Sequence, residues 1–199
     1  MTVSNRMTEL DALNILLGTI GSSPLTSLSN PQNADALSAQ NKLDSARKEI
    51  QAENWYFNSE ENFPLVPEAT TGFIVVPSNI TAIDSMGRFG EKVDGVIRGN
   101  KLYDRENHTY KFDTTIYANV LECLDFDELP ETAKLYVVAR AARQFQEEML
   151  GDTSLRTWTR EDEAMARDRL IDEDLRQRKL SFGILPKLDP TVGIDMRNL

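Results

Sequence analysis

Residues 125–151 read DFDELPETAKLYVVARAARQFQEEMLG, and this stretch decides the fold. Leu135, Val138, Ala142, Phe145 and Met149 recur at alternating spacings of three and four, which predicts a helix with one apolar stripe. Pro130 suits its first turn and Gly151 its stop. Ala139, Ala141 and Ala142 keep part of its surface low, so that a second helix can approach closely. Ahead of the stripe, Asp125, Asp127, Glu128 and Glu131 crowd together. They are either a carboxylate site or the acidic first turn that complements a helix dipole.

Working outward, two further helices precede this one. MTELDALNILLGTIG places Leu10, Leu13, Leu17 and Ile20 at helical spacing, with Leu16 widening the face. Thr8 caps it with Asp11 three residues on, and Gly18 and Gly21 end it. The run from Ser27 to Phe57 predicts a longer helix, capped by Asn30 ahead of Pro31 or starting instead at Asn33. Its stripe is narrow and small: Ala36, Ala39, Leu43, Ala46 and Ile50. Trp55 and Phe57 are expected in the core, and Tyr56 at an interface.

Between these helices and the opening stretch lies strand composition. TGFIVVPSNITAIDSMG is broken by Pro77, giving two strands or an edge strand. EKVDGVIRGNKLYDRENHTYKFD reads as a hairpin turning at RENH, and TTIYANVLECLDF as another strand. GRFGEKVDG lacks the ending of a phosphate loop and reads as a plain loop. Downstream, TWTREDEAMARDRLIDEDLRQRKLSF predicts a charged helix with a thin apolar line of Ala164, Ile171 and Leu175. Asp172 with Arg176, and Asp174 with Arg178, are spaced to pair along it. The tail GILPKLDPTVGIDMRNL has no period and reads as an extended arm.

The expected fold class is therefore α+β: a helical bundle with an inserted antiparallel sheet region. The expected divisions are 1–62, 63–126, 127–181 and an arm at 182–199. The 199 residues carry a net charge of -10, which opposes nucleic-acid binding through a basic stripe. The single cysteine, Cys123, permits no intrachain disulfide, fits a reducing compartment and reads as buried packing in a strand. No run is apolar over the ~20 residues of a membrane span, and the start lacks the layout of a signal peptide.

Chemistry has few candidates. The single histidine, His108, reads as a solvent-facing turn residue rather than a general base. No metal, cofactor or catalytic set is expected. Glu60 with Glu61, Asp104 with Glu106, and the cluster from Asp125 to Glu131 could each offer a glycosidase pair. Among 32 acidic residues such pairs also arise by chance. The basic residues Arg88, Lys92, Arg98, Lys101, Arg105 and Lys111 interleave with acids and read as a solvated face.

Taken in order, ALNILLGTIGSSPLTSL, ENWYFNSEE, LVPEATTGFIVVPSNITAID, RGNKLYDRENHTYKF and LPETAKLYVVARAARQFQ resemble the tail tubular protein A family of short-tailed bacteriophages. The resemblance runs from about Leu13 to Met149 and implies a structural virion protein with no enzymatic role. It implies a ring of copies, usually twelve, between the portal protein and a tail nozzle protein of the tubular protein B kind. Viral DNA would pass through that ring, and assembly would precede in the host cytoplasm. A tail-associated polysaccharide or peptidoglycan hydrolase is the alternative. Assembly contacts are expected on the charged helix at Arg160, Glu163, Arg167, Asp174 and Arg178. Further contacts are expected on the arm at Phe182, Ile184, Leu185, Leu188, Val192 and Ile194.

Overall fold

The structure is a computed structural model that describes residues 6–28, 34–88, 91–150 and 158–181, without the side chains of 84–86, 88, 91–92 and 179–181. It is α+β, with two hydrophobic cores. The helical body comprises α1 (Glu9–Thr19), α2 (Ala34–Gln51), α3 (Glu131–Leu150) and α4 (Arg160–Ser181). The sheet body comprises β1 (Ser59–Leu65), β2 (Ile80–Arg88), β3 (Glu91–Lys92), β4 (Gly95–Arg98), β5 (Lys101–Asp104) and β6 (Ile116–Glu122).

Helix α1 starts where its capping box predicts. The Asp11 backbone N–H donates to the Thr8 hydroxyl, and the Thr8 N–H donates to the Asp11 carboxylate. It ends at Gly21, which takes φ +72°, a conformation costly for residues with a Cβ. Ser22 N–H closes the end on the Leu17 carbonyl at 3.0 Å. Helix α2 buries the small stripe as expected, with Ala36, Ala39, Ala46 and Ile50 fully enclosed and Leu43 nearly so. It begins at Ala34, so Asn30, Pro31 and Asn33 lie outside the described residues. It ends at Gln51 rather than reaching Phe57, because Trp55 turns back to donate its indole N–H to the Ile50 carbonyl at 2.8 Å.

Helix α3 touches α1, α2 and α4, so its buried arc is wider than one stripe. Val138, Ala142 and Phe145 are buried as expected, joined by Tyr136, Val137, Ala139 and Ala141. Leu135 and Met149, the ends of the predicted stripe, are instead 39% and 40% exposed. Gly151 lies outside the described residues. Lys134 is buried, its ammonium held by the Met7 carbonyl at 2.9 Å. Helix α4 corrects the expected apolar line. Leu170 is buried, and Trp158, Ala166 and Ile171 pack beside it. Ala164 and Leu175 face out. Thr159 and Asp162 form its cap, reciprocally bonded at 2.9 and 3.2 Å.

In the sheet body the order is β1-β6-β2-β3, all antiparallel, with β4 and β5 forming a separate hairpin. Ile116, Ala118 and Val120 of β6 point inward on the period-2 rule, against Leu65, Ile74, Val76, Leu102 and Phe112. One strand was not forecast, and two readings need correction. Strand β1, SEENFPL, is a strand despite its polarity: pairing with β6 supplies what its propensity lacks. Asn62 sits in it at φ +56°, where the register shifts. The tight hairpin turn is Gly99–Asn100, with Gly99 at φ +65°, and not RENH. RENH is a second turn, and His108 in it has φ +52° and is exposed. Lastly, the segment read as a loop contributes strand on both sides, Gly87 pairing with Lys92.

The chain crosses between the bodies twice, through the segments 51–59 and 122–126. Two buried polar side chains clasp the crossings. The Gln51 carboxamide pairs with the Leu124 backbone. The Asn58 carboxamide N–H donates to the carbonyls of Gln51 and Glu122 at 2.7 and 3.0 Å. Both residues are nearly inaccessible, so every polar atom there needs a partner.

Candidate functional site

The acids of the opening stretch lie beside a cleft of about 300 Å³, lined by Glu9, Leu43, Asp44, Arg47, Asp125, Phe126 and Asp127. Each of the four has a structural partner. Asp127 accepts the Glu9 backbone N–H at 3.1 Å, and Glu131 accepts that of Met7 at 3.2 Å. These two therefore secure the start of α1, not only that of α3. Glu128 accepts the Asp125 N–H at 3.2 Å across a one-turn helix, Phe126–Glu128. Asp125 pairs with Arg47 at 3.4 Å.

Arg47 is the hub of this cleft. Its guanidinium donates to the Leu124 carbonyl and, at 2.6 Å, to Asp44. Burial, then the charge of Asp127, holds the Glu9 carboxyl above its ordinary range, with Arg47 opposing. Burial alone would also raise Asp44, but hydrogen bonds from Lys48 and Arg47 outweigh it and lower it. The arrangement fixes helix ends. It does not hold two carboxylates free on either side of a substrate.

The other pairs are no closer to chemistry. Asp104 accepts backbone N–H groups from Glu106 and Asn107 at 2.9 and 3.1 Å and so shapes the second turn. Glu60 and Glu61 are exposed on an edge strand. Cys123 is half-buried just past β6, with the Arg47 guanidinium 3.8 Å from its sulfur, rather than packed inside a strand. Among the described residues no group of three His, Cys, Asp or Glu converges to hold a metal ion. No described helix is long and apolar enough to cross a membrane.

Of the expected contact residues on α4, four bind within their own chain. Glu163 accepts from Arg143 at 2.5 Å, and Arg167 pairs with Glu53 at 3.2 Å. Asp174 accepts the Tyr56 backbone N–H at 2.7 Å and pairs with Arg178 at 2.8 Å. Arg178 also reaches the Asn54 carbonyl at 2.6 Å. Arg160 is exposed at the start of the helix. Arg176 bonds the Asp172 carbonyl oxygen at 3.1 Å. Phe182, Ile184, Leu185, Leu188, Val192 and Ile194 lie outside the described residues.

Tyr56, expected at an interface, meets α4 of its own chain. Its hydroxyl donates to Glu173 at 2.8 Å, and Thr132 donates to the same carboxylate at 2.5 Å. Burial and this bond push the Tyr56 phenol up. Trp55 is buried, as expected, and Phe57 packs partly buried against the helical core. Sequence reasoning missed the clasp at Gln51 and Asn58, whose only signal is their place after Ile50, the last buried apolar residue of α2. On the outward side of α4, Met165 and Leu175 are 52% and 50% exposed on a helix otherwise edged by charge.

Comparison with known proteins agrees with this picture of a structural part. A family model described as Tail tubular protein matches residues 10–180. The chain is 31% identical over 176 residues to Tail tubular protein A of Klebsiella phage KP34, covering 88% of this chain and 91% of the relative. The four-helix body with its clasped sheet thus falls almost wholly within the matched span, and the chain belongs to the tail tubular protein family, structural components of bacteriophage tails.

Proposed function

We propose that the chain is one subunit of a ring, of about twelve copies by family resemblance, that joins the portal protein to the tail nozzle and lines the channel for DNA. The observation that carries this reading is α4. One side of it is fixed on its own chain by Leu170 and a set of ion pairs, while Met165 and Leu175 stand outward. An outward apolar pair inside a charged frame suits a contact that forms after folding. A net charge of -10 suits a channel wall along which a duplex slides without sticking. The segment 182–199 would add further apolar residues for a neighbour or the portal. Assembly takes place in the host cytoplasm.

Electron microscopy of the purified chain mixed with its portal protein tests this. Rings seated on the portal are expected, and their loss on deleting 182–199 while the remainder stays folded. Mixtures in which neither chain changes the other's sedimentation would overturn the reading.

A further inference from the structure

The hairpin β4–β5 carries cations layered on rings. Arg98 and Lys101 flank the turn as paired residues. The Arg98 guanidinium lies 3.7 Å from the Tyr103 ring centre, and the Lys101 ammonium 4.2 Å from that of Phe73. Tyr110 joins the rings edge-on, 4.7 Å from Tyr103 and 6.4 Å from Phe73. Lys111, bridged to Phe73 through the backbone, adds a third cation. Among the described residues none of these three cations has a carboxylate at ion-pair distance, whereas Arg47, Arg105, Arg140, Arg143, Arg167 and Arg178 all do.

An uncompensated basic face on a chain of net charge -10 has a limited choice of partners. Its ring faces are already covered by cations, so it is no platform for stacking sugars or bases. Three cations also do not offset the repulsion between the rest of the chain and a duplex. What remains is an acidic protein surface, and this chain has one. Asp125, whose side chain is 89% exposed, and the exposed Asp127 line the cleft on the helical body, and the exposed Glu128 accepts the Asp125 N–H beside it. The hairpin supplies none of the residues lining that cleft.

We infer that the hairpin face of Arg98, Lys101 and Lys111 seats on the acidic rim at Asp125 and Glu128 of a second copy. This rests on the ring reading, since a closed ring needs two different, complementary patches on each subunit. Opposite charge sets the register and speeds the encounter.

Charge exchange on the full chain tests it, with ring formation read by mass photometry, alone and with portal protein. Arg98→Glu with Lys101→Glu should raise the concentration for half-assembly at least tenfold. So should Asp125→Lys with Glu128→Lys. An equimolar mixture of the two variants should restore rings, because alternating copies then present opposite charges at every contact. Either variant assembling like the parent, or a mixture of folded variants that fails to restore rings, overturns the inference while leaving the ring reading intact. Circular dichroism confirms folding. If a reversed variant does not fold, Arg98→Gln with Lys101→Gln replaces it and should weaken assembly and flatten its salt dependence; parent-like behaviour overturns the inference. A parent chain that never assembles, even with portal protein, overturns the ring reading and this contact with it.

Discussion

Gln51 and Leu124 hold each other by two hydrogen bonds. The Gln51 carboxamide N–H donates to the Leu124 carbonyl at 2.9 Å, and the Leu124 N–H donates to the Gln51 carboxamide oxygen Oε1 at 2.8 Å. One side chain at the end of α2 thereby satisfies the backbone of the returning strand exit. Gln51→Leu keeps the bulk but leaves the partly buried Leu124 N–H unpaired, at a cost of about 1–3 kcal/mol. A thermal melt should move down by several degrees, and hydrogen exchange should speed at Leu124 before it does in α1. Unchanged exchange there would remove the clasp from the account.

Leu170 and Leu175 lie five residues apart on α4 with opposite surroundings, 0% and 50% exposed. Leu170→Ala should cost about 2–5 kcal/mol by opening a cavity against α3. Leu175→Ala should leave the melting temperature within about one degree, as surface changes do. If α4 is an assembly face, the second variant is the one that weakens ring formation. Equal stability losses at both positions would contradict the packing described for this helix.

Glu173 joins Tyr56 and Thr132 on one carboxylate. Glu173→Ala should release the C-terminal half of α4, at a cost of about 1–3 kcal/mol for the groups left behind. Limited proteolysis should then cut within 171–181 while α1 to α3 resist. Tyr56→Phe removes only one of the two bonds and should have the smaller effect.

The pH dependence has two opposing parts. Glu9, raised above 4.5 by burial and by Asp127, binds its proton more readily folded than unfolded. Its contribution is full below 4.5 and is lost as pH rises through the folded value. Asp44 and Asp104, lowered below 3.8, contribute above that value and lose their contribution as pH falls through their folded values. Glu9→Gln should therefore raise stability at pH 7 more than at pH 4.5, by chemical denaturation at the two pH values. An equal shift at both would show that Glu9 does not titrate differently in the fold.

Much of this architecture is legible in the sequence because it rests on local signals. The Thr8–Asp11 box, the small stripe from Ala36 to Ile50 and the alternation of β6 each state their structure within one element. What was hidden depends on distant partners. Strand β1 looks polar and is broken by Asn62 and Pro64, so only β6 reveals it. On α4 the line Ala164–Ile171–Leu175 and the line Ala166–Leu170 compete, and the position of α3 decides between them. The acidic cluster serves helix starts, but the helix that Asp127 and Glu131 secure most directly is α1, over a hundred residues away in the chain.

Strand β1 has a consequence beyond its place in the sheet. It pairs with β6 on one side, and among the described residues no strand pairs with its other edge. Pro64 offers no N–H along that edge, and the irregular backbone at Asn62 spoils its straightness. A stray strand from another molecule therefore finds no continuous ladder to extend. A tail component must gather at high local concentration without polymerising through its sheets. Here that protection is written into the residues that made the strand hardest to recognise.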